Sequence, residues 1–135
     1  MVAHGTIAFD TLTTSDQIET GTEKSIDTSY LYNGTPKAFS TADTSSSNAI
    51  LSSLNIASIS DINTGVIDSN FTSSFSNGDY HEQAIAESSL GDYTVGTTSD
   101  AHSTAAKSRS YNVRRDNGSL IDEPKAGVLV IGELA

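Results

Sequence analysis

The sequence contains no cysteine and no tryptophan, only two prolines, and only 7 Lys and Arg among its 135 residues. Each absence removes a class of explanation. Without cysteine there is no disulfide, no thiolate metal site and no cysteine nucleophile, so the fold is held non-covalently. Against the few cations stand 17 Asp and Glu, giving a formal net charge of −10. Nucleic acid is therefore not an expected partner, because binding phosphates needs clustered Lys and Arg. The imbalance is sharpest from Ala38 to Ala106, which holds eight acidic residues and no Lys or Arg; a solvated acidic surface is the default for such a stretch. No apolar run approaches the ~20 residues that span a bilayer. The opening MVAHGTIAFD lacks the charged and long apolar regions of a signal peptide, so synthesis in the cytoplasm without membrane insertion is expected.

Large apolar side chains are scarce as well. Val, Ile, Leu and Phe together number 29, against 22 Ser and 16 Thr, a share only just above the level at which chains fail to fold. The length is one domain's worth. A chain of this kind forms an open β structure with small interior side chains and gains further burial by associating with copies of itself.

What is present is strand and turn chemistry, organised around Ser53–Tyr80. Leu54, Ile56 and Ile59 lead into the polar turn Asp61-Ile62-Asn63-Thr64-Gly65, after which Ile67, Ser69, Phe71, Ser73 and Phe75 share one face at period two. Ile7 and Phe9 mark a first short strand, and Tyr30-Leu31-Tyr32 a second, closed by the turn Asn33-Gly34-Thr35-Pro36. A strand around Ala38 and Phe39 follows, and Thr41–Asn48 is a low-complexity surface loop. Tyr80–Glu87 alternates weakly and suits an edge or a wet face. Gly96–Lys107 is expected to be a loop, Ser108–Arg115 a strand, and Asp116-Asn117-Gly118-Ser119 its turn. Val128–Ile131 is the most β-prone run and is expected to be a central strand buried on both sides.

Part of this pattern is shared with a known group. Ser53–Asp61, Thr64-Gly65, Asn70-Phe71-Thr72 and Asn77-Gly78-Asp79-Tyr80, with the opening Gly5–Asp16 and the ending Val130–Ala135, resemble small proteins and C-terminal fibre domains of tailed bacteriophages, especially marine ones. Ser69 stands where that pattern has an apolar residue, and Phe39 where a Trp is usual, so both weaken the expected core. Within Ala49–Leu54 the helical spacing of Ile50, Leu51 and Leu54 competes with the strand that continues the pattern. The resemblance implies an all-β fold, an antiparallel β-sandwich or jelly-roll-like domain over 37–135, with residues 1–36 as an extended N-terminal arm for assembly or attachment. It also implies a virion component, a tail fibre or receptor-binding protein assembled as a homotrimer with other virion proteins and released by lysis. A capsid decoration protein is the alternative, and a carbohydrate-active enzyme a more distant one.

Signals for chemistry are weak. Asp61–Gly65 is a fragment of a calcium loop whose glycine comes one place early and whose distal Glu is missing. His4, His81 and His102 share no spacing, so no metal or cofactor is expected. No serine sits in a G-x-S-x-G elbow, and there is no phosphate-binding glycine loop. Arg109, Arg114 and Arg115 are three of the seven basic residues; they either pair with the acidic middle of a neighbouring copy or snorkel within their own chain. Tyr80 and Tyr93 are the aromatics favoured for contact with a host carbohydrate or protein, since a ring with a hydroxyl suits sugar recognition.

Overall fold

The computed structural model describes residues 11–13, 25–87, 94–98 and 101–135. The chain divides into two compact units, Met1–Thr35 and Pro36–Ala135. In the first, β1 (Thr11–Thr13) pairs antiparallel with β2 (Ser25–Asp27), and α1 (Thr28–Gly34) follows directly. The helix replaces the strand expected at Tyr30–Tyr32. Asp27 caps it, its Oδ1 accepting from the Ser29 amide at 2.7 Å, and Pro36 cannot continue it. The Asn33-Gly34-Thr35-Pro36 signal was thus a helix stop. The first strand expected at Ile7 and Phe9 lies outside the described residues.

Among the described residues the second unit contains eight strands: β3 (Ala38–Asp43), β4 (Ala49–Leu54), β5 (Ile56–Asn63), β6 (Val66–Phe71), β7 (His81–Glu87), β8 (Thr94–Thr98), β9 (Lys107–Arg114) and β10 (Lys125–Ile131). They form two antiparallel sheets, in the orders β4-β3-β10-β7 and β5-β6-β9-β8. This is the antiparallel β-sandwich expected from the resemblance. The central hairpin is β5–β6, with its two-residue turn at Thr64-Gly65, so that Asp61–Asn63 belong to the strand. Ala49–Leu54 is strand, which settles its ambiguity. Gly96–Lys107 is not all loop: Thr94–Thr98 pairs in register with β9, as its β-branched Thr94, Val95, Thr97 and Thr98 allow. Leu90–Tyr93 lie outside the described residues.

The inward faces are thinly apolar. Phe71, Phe75, Val128 and Val130 pack with Ala38, joined by the half-buried Ile56, Tyr80 and Leu134. Away from this aromatic end the facing residues are small: Ser40, Ala42 and Ala126 against Ser69, all fully buried. Ser69 therefore does not leave a hole in the core, because the Ser40 hydroxyl lies 2.9 Å from its own. Phe39 does not weaken the core either. It points to the outer face of β3 while Ala38 and Ser40 point in. β9 presents Ser108, Ser110 and Asn112 inward, and the Ser110 hydroxyl and both polar atoms of the Asn112 amide have no hydrogen-bond partner. β10 is central as expected, but buried on one face only: Ala126, Val128 and Val130 are covered, whereas Leu129 and Ile131 are partly open. Thr41–Asp43 extend β3, and Thr44, assigned to a surface loop, is buried by a reciprocal pair of bonds with Glu123.

The two sheets meet along one side. β8 lies so close to β7 that a Cβ on Gly96 would come within 2.7 Å of the Ala84 carbonyl carbon. On the other side β4 passes into β5 at Asn55, whose positive φ of 55° turns the corner, and whose amide clasps Ser73 through Asn55 Nδ2 to Ser73 O and Ser73 N to Asn55 Oδ1.

Two stability measurements check this arrangement by urea unfolding. Gly65 and Gly118 both have φ near +70°, but a Cβ at Gly65 would meet Ile121 N at 2.6 Å whereas one at Gly118 would meet nothing within 4 Å. Gly118→Ala is expected to cost about 1 kcal/mol, the left-handed penalty alone, and Gly65→Ala distinctly more. Ser110→Ala is expected to be neutral or to stabilise by roughly 1 kcal/mol, since it removes a buried hydroxyl that has no partner.

Candidate functional site

The outer face of the β5-β6-β9-β8 sheet carries a charged cluster made by strand register. β6 pairs with β9 so that Asp68 faces Arg109 directly. Arg109 donates from Nε to Asp68 Oδ1 at 2.5 Å and from Nη2 to Oδ2 at 2.8 Å, and Lys107 Nζ reaches Oδ2 at 2.6 Å. The carboxylate is covered by the two long side chains that bind it, with Asp68 3% exposed. Burial opposes its ionisation, but the hydrogen bonds and charges of Arg109 and Lys107 outweigh burial and hold its carboxyl below the usual range. In return the Asp68 hydrogen bond raises the affinity of Arg109 for its proton. Beside this cluster, Asn70 Nδ2 bridges to the Ser58 and Ser60 hydroxyls on β5 at 3.1 and 2.9 Å.

A second cluster lies between the sheets. Glu82 on β7 accepts from Ser103 Oγ at 3.0 Å and from Ser108 Oγ at 2.5 Å, and Ser103 Oγ accepts the Arg109 amide at 3.1 Å. Two serines on one carboxylate do not make a nucleophile: hydrolases place an imidazole between acid and hydroxyl, and here His81 and His102 are exposed. The cluster ties β7 to β9 and to the loop before it. Glu123, 1% exposed, is held similarly, its carboxylate taking the Thr94 hydroxyl at 2.6 Å. Among the described residues no three His, Cys, Asp or Glu gather as metal ligands. Asp61 accepts the Asn48 amide at 2.9 Å, and Asn63 Oδ1 the Thr64 amide at 2.8 Å, so the calcium-loop fragment is strand-end and turn chemistry.

The residues singled out in the sequence fall apart spatially. Arg109 is engaged by Asp68 of its own chain, the intrachain alternative. Arg114 closes β9, its amide bonding Ser119 O at 2.8 Å, and Arg115 is exposed in the turn after it. Tyr80, favoured above as a contact aromatic, is half-buried against the aromatic end of the core. Its ring packs on Phe71 and Phe75 at centroid distances of 5.7 and 4.8 Å, and its hydroxyl donates to the carbonyls of Lys107 at 2.6 Å and Thr104 at 3.1 Å. Desolvation first, and the charge of Glu82 second, push its pKa up to about 12. Tyr93 lies outside the described residues. Among the described residues the tyrosines that face solvent are Tyr30 and Tyr32 on α1.

Sequence inspection misses Asp68, Glu82 and Glu123; the first two fall within the stretch read as acidic surface, and Glu123 reads as part of a turn before Pro124. A signal for the first existed. Asp68 lies in the hairpin strand and Arg109 in another predicted strand, and opposite charges on pairing strands are a stabilising cross-strand pair.

It also missed the apolar rim formed by β4 and β5. All six residues of β4 are exposed. Its pairing with β3 skips Leu51, since Thr41 faces Ser52 and Ala42 faces Ile50. β5 skips Ala57 and Ile62 in the same way against β6. Each bulge thus turns an apolar residue out of the ladder, and Leu51 and Ile62 are 54% and 46% exposed.

Removing the Asp68 carboxylate is the informative change at the charged cluster. Asp68→Asn is expected to cost about 3 kcal/mol, the low end for breaking a buried pair, because Lys107 can swing into water. The folded carboxyl ionises at lower pH than the unfolded one. Its contribution is therefore complete above about pH 4, the unfolded value, and is lost as pH falls through the lower folded value. A urea series from pH 7 to pH 2 on wild type and Asp68→Asn should show the gap between them closing below about pH 4.

Compared with protein-family models, with curated proteins and with solved structures, the chain matches none.

Proposed function

We propose that this chain is a structural protein of a bacteriophage virion, a tail-fibre or receptor-binding component that acts by association and not by catalysis, as a homotrimer among other virion proteins. The observation that carries it is the placement of the apolar side chains. Among the described residues six large ones are buried (Val66, Ile67, Phe71, Phe75, Val128 and Val130), whereas eleven are exposed, including Ile50, Leu51, Leu54, Ile62, Ile85 and Val95. A protein that leaves more such side chains on its surface than in its core presents apolar area to neighbours. The phage context comes from the resemblance of the β5–β6 hairpin and the two ends of the chain to tail-fibre proteins, and an all-β sandwich suits that role. With the Tyr80 ring half-buried and its hydroxyl held by backbone carbonyls, contact with a host surface falls to other groups as well, of which Tyr30 and Tyr32 are the exposed tyrosines among the described residues.

Quantitative mass spectrometry of purified particles tests this. A few tens of copies or fewer per virion is the expected result. Hundreds of copies would make the chain a decoration protein of the capsid, and its absence from particles would overturn the proposal.

A further inference from the structure

The rim formed by β4 and β5 has three properties that converge. From Thr44 to Ser60 there is no charged residue, in a chain whose net charge is −10. Every one of the three bulges along these two strands turns out an apolar residue: Leu51, Ala57 and Ile62. The two strands are also tied at both ends, by the Asn55 corner and by the bond from Asn48 Nδ2 to Asp61 Oδ2 at 2.9 Å. The rim is therefore framed, and the two carboxylates beside it, Asp43 and Asp61, each accept hydrogen bonds from neighbouring side chains.

These properties select an occupant. An extended peptide adding to the sheet edge needs an unbroken row of backbone groups, and bulges interrupt that row on both strands. A basic partner would be drawn to the acidic surfaces and has nothing to pair with here. For two copies of an acidic chain, however, a neutral stretch is where approach costs least Coulomb repulsion. We propose that copies of this chain meet through the β4–β5 rim, with Leu51 and Ala57, which lie in the charge-free stretch, nearest the symmetry axis and Ile62, beside Asp61, at the periphery of the contact. This rests on the assembly proposed above and names the surface that performs it. Residues near such an axis meet their own counterparts in the neighbouring copies, so an apolar patch is self-complementary there and a charged one is not.

The test is sedimentation velocity on the full chain at micromolar concentration, with the melting curve recorded for each variant. Wild type is expected to associate. The double variant Leu51→Glu with Ile62→Glu, both at exposed positions, is expected to weaken association roughly tenfold or more with melting unchanged. Val95→Glu, on the outer face of β8, is expected to associate as wild type does. A double variant that associates normally would overturn the rim as the contact and leave the virion proposal untouched. A wild-type chain that stays monomeric would also overturn it, and the particle composition would then judge the virion proposal separately. If the double variant fails to fold, Leu51→Cys decides, because the natural chain has no cysteine. Mild oxidation should then link chains of Leu51→Cys but not of Val95→Cys, and no linked chains at Leu51→Cys would overturn the proposal.

Discussion

The scarcity of large apolar side chains between the two sheets governs the rest of this structure. Four of them, Phe71, Phe75, Val128 and Val130, gather with Tyr80 at one end of the sandwich, where ring edges meet ring faces. Beyond that end the sheets approach through Ala42, Ala126 and the Ser40–Ser69 hydroxyl pair. Small side chains allow close approach but bury little area, so each contributes little hydrophobic stabilisation. The interior therefore depends on hydrogen bonds between its small polar side chains, and the exceptions, Ser110 and Asn112, each carry a cost.

That dependence explains why acidic residues lie inside an acidic protein. Glu82 collects the hydroxyls of Ser103 and Ser108, and Glu123 ties the end of β3 to the start of β8 through Thr44 and Thr94. Asp68 does the same on the outer face, where two cations reach it from β9. Each of these residues joins segments distant in sequence, Glu123 through its backbone to Thr44 and its carboxylate to Thr94, so they serve as cross-braces. The same economy accounts for the surface. Apolar residues that the narrow interior cannot hold are turned outward, and the bulges of β4 and β5 place three of them on a rim whose carboxylates lie only at its margin. A shortage in the core and an apolar exterior are two sides of one distribution.

Much of the β pattern was legible because it depends on short-range chemistry. The β5–β6 hairpin, the strand over β9, the edge position of β7 and the central place of β10 follow from period-two alternation, β-branched content and turn residues such as Gly65 and Gly118. The error at Tyr30–Tyr32 also had a local remedy, since Asp27 before the segment and Gly34 and Pro36 at its end are helix boundary signals. For β8 the mistake came from reading threonine and serine as loop, although four of its five residues are β-branched.

What the sequence determined by itself was the class of fold, because alternation and turns act over a few residues. Only the tertiary structure decided which face of each strand lies inside. Ser108, Ser110 and Asn112 are more polar than Tyr111 and Val113, yet they point inward, because β9 pairs with β6 in the register that sets Asp68 against Arg109. Long-range pairing also packed Tyr80 against the core and set Leu51 and Ile62 on the rim. Strand register couples residues forty positions apart, and no local pattern carries that information.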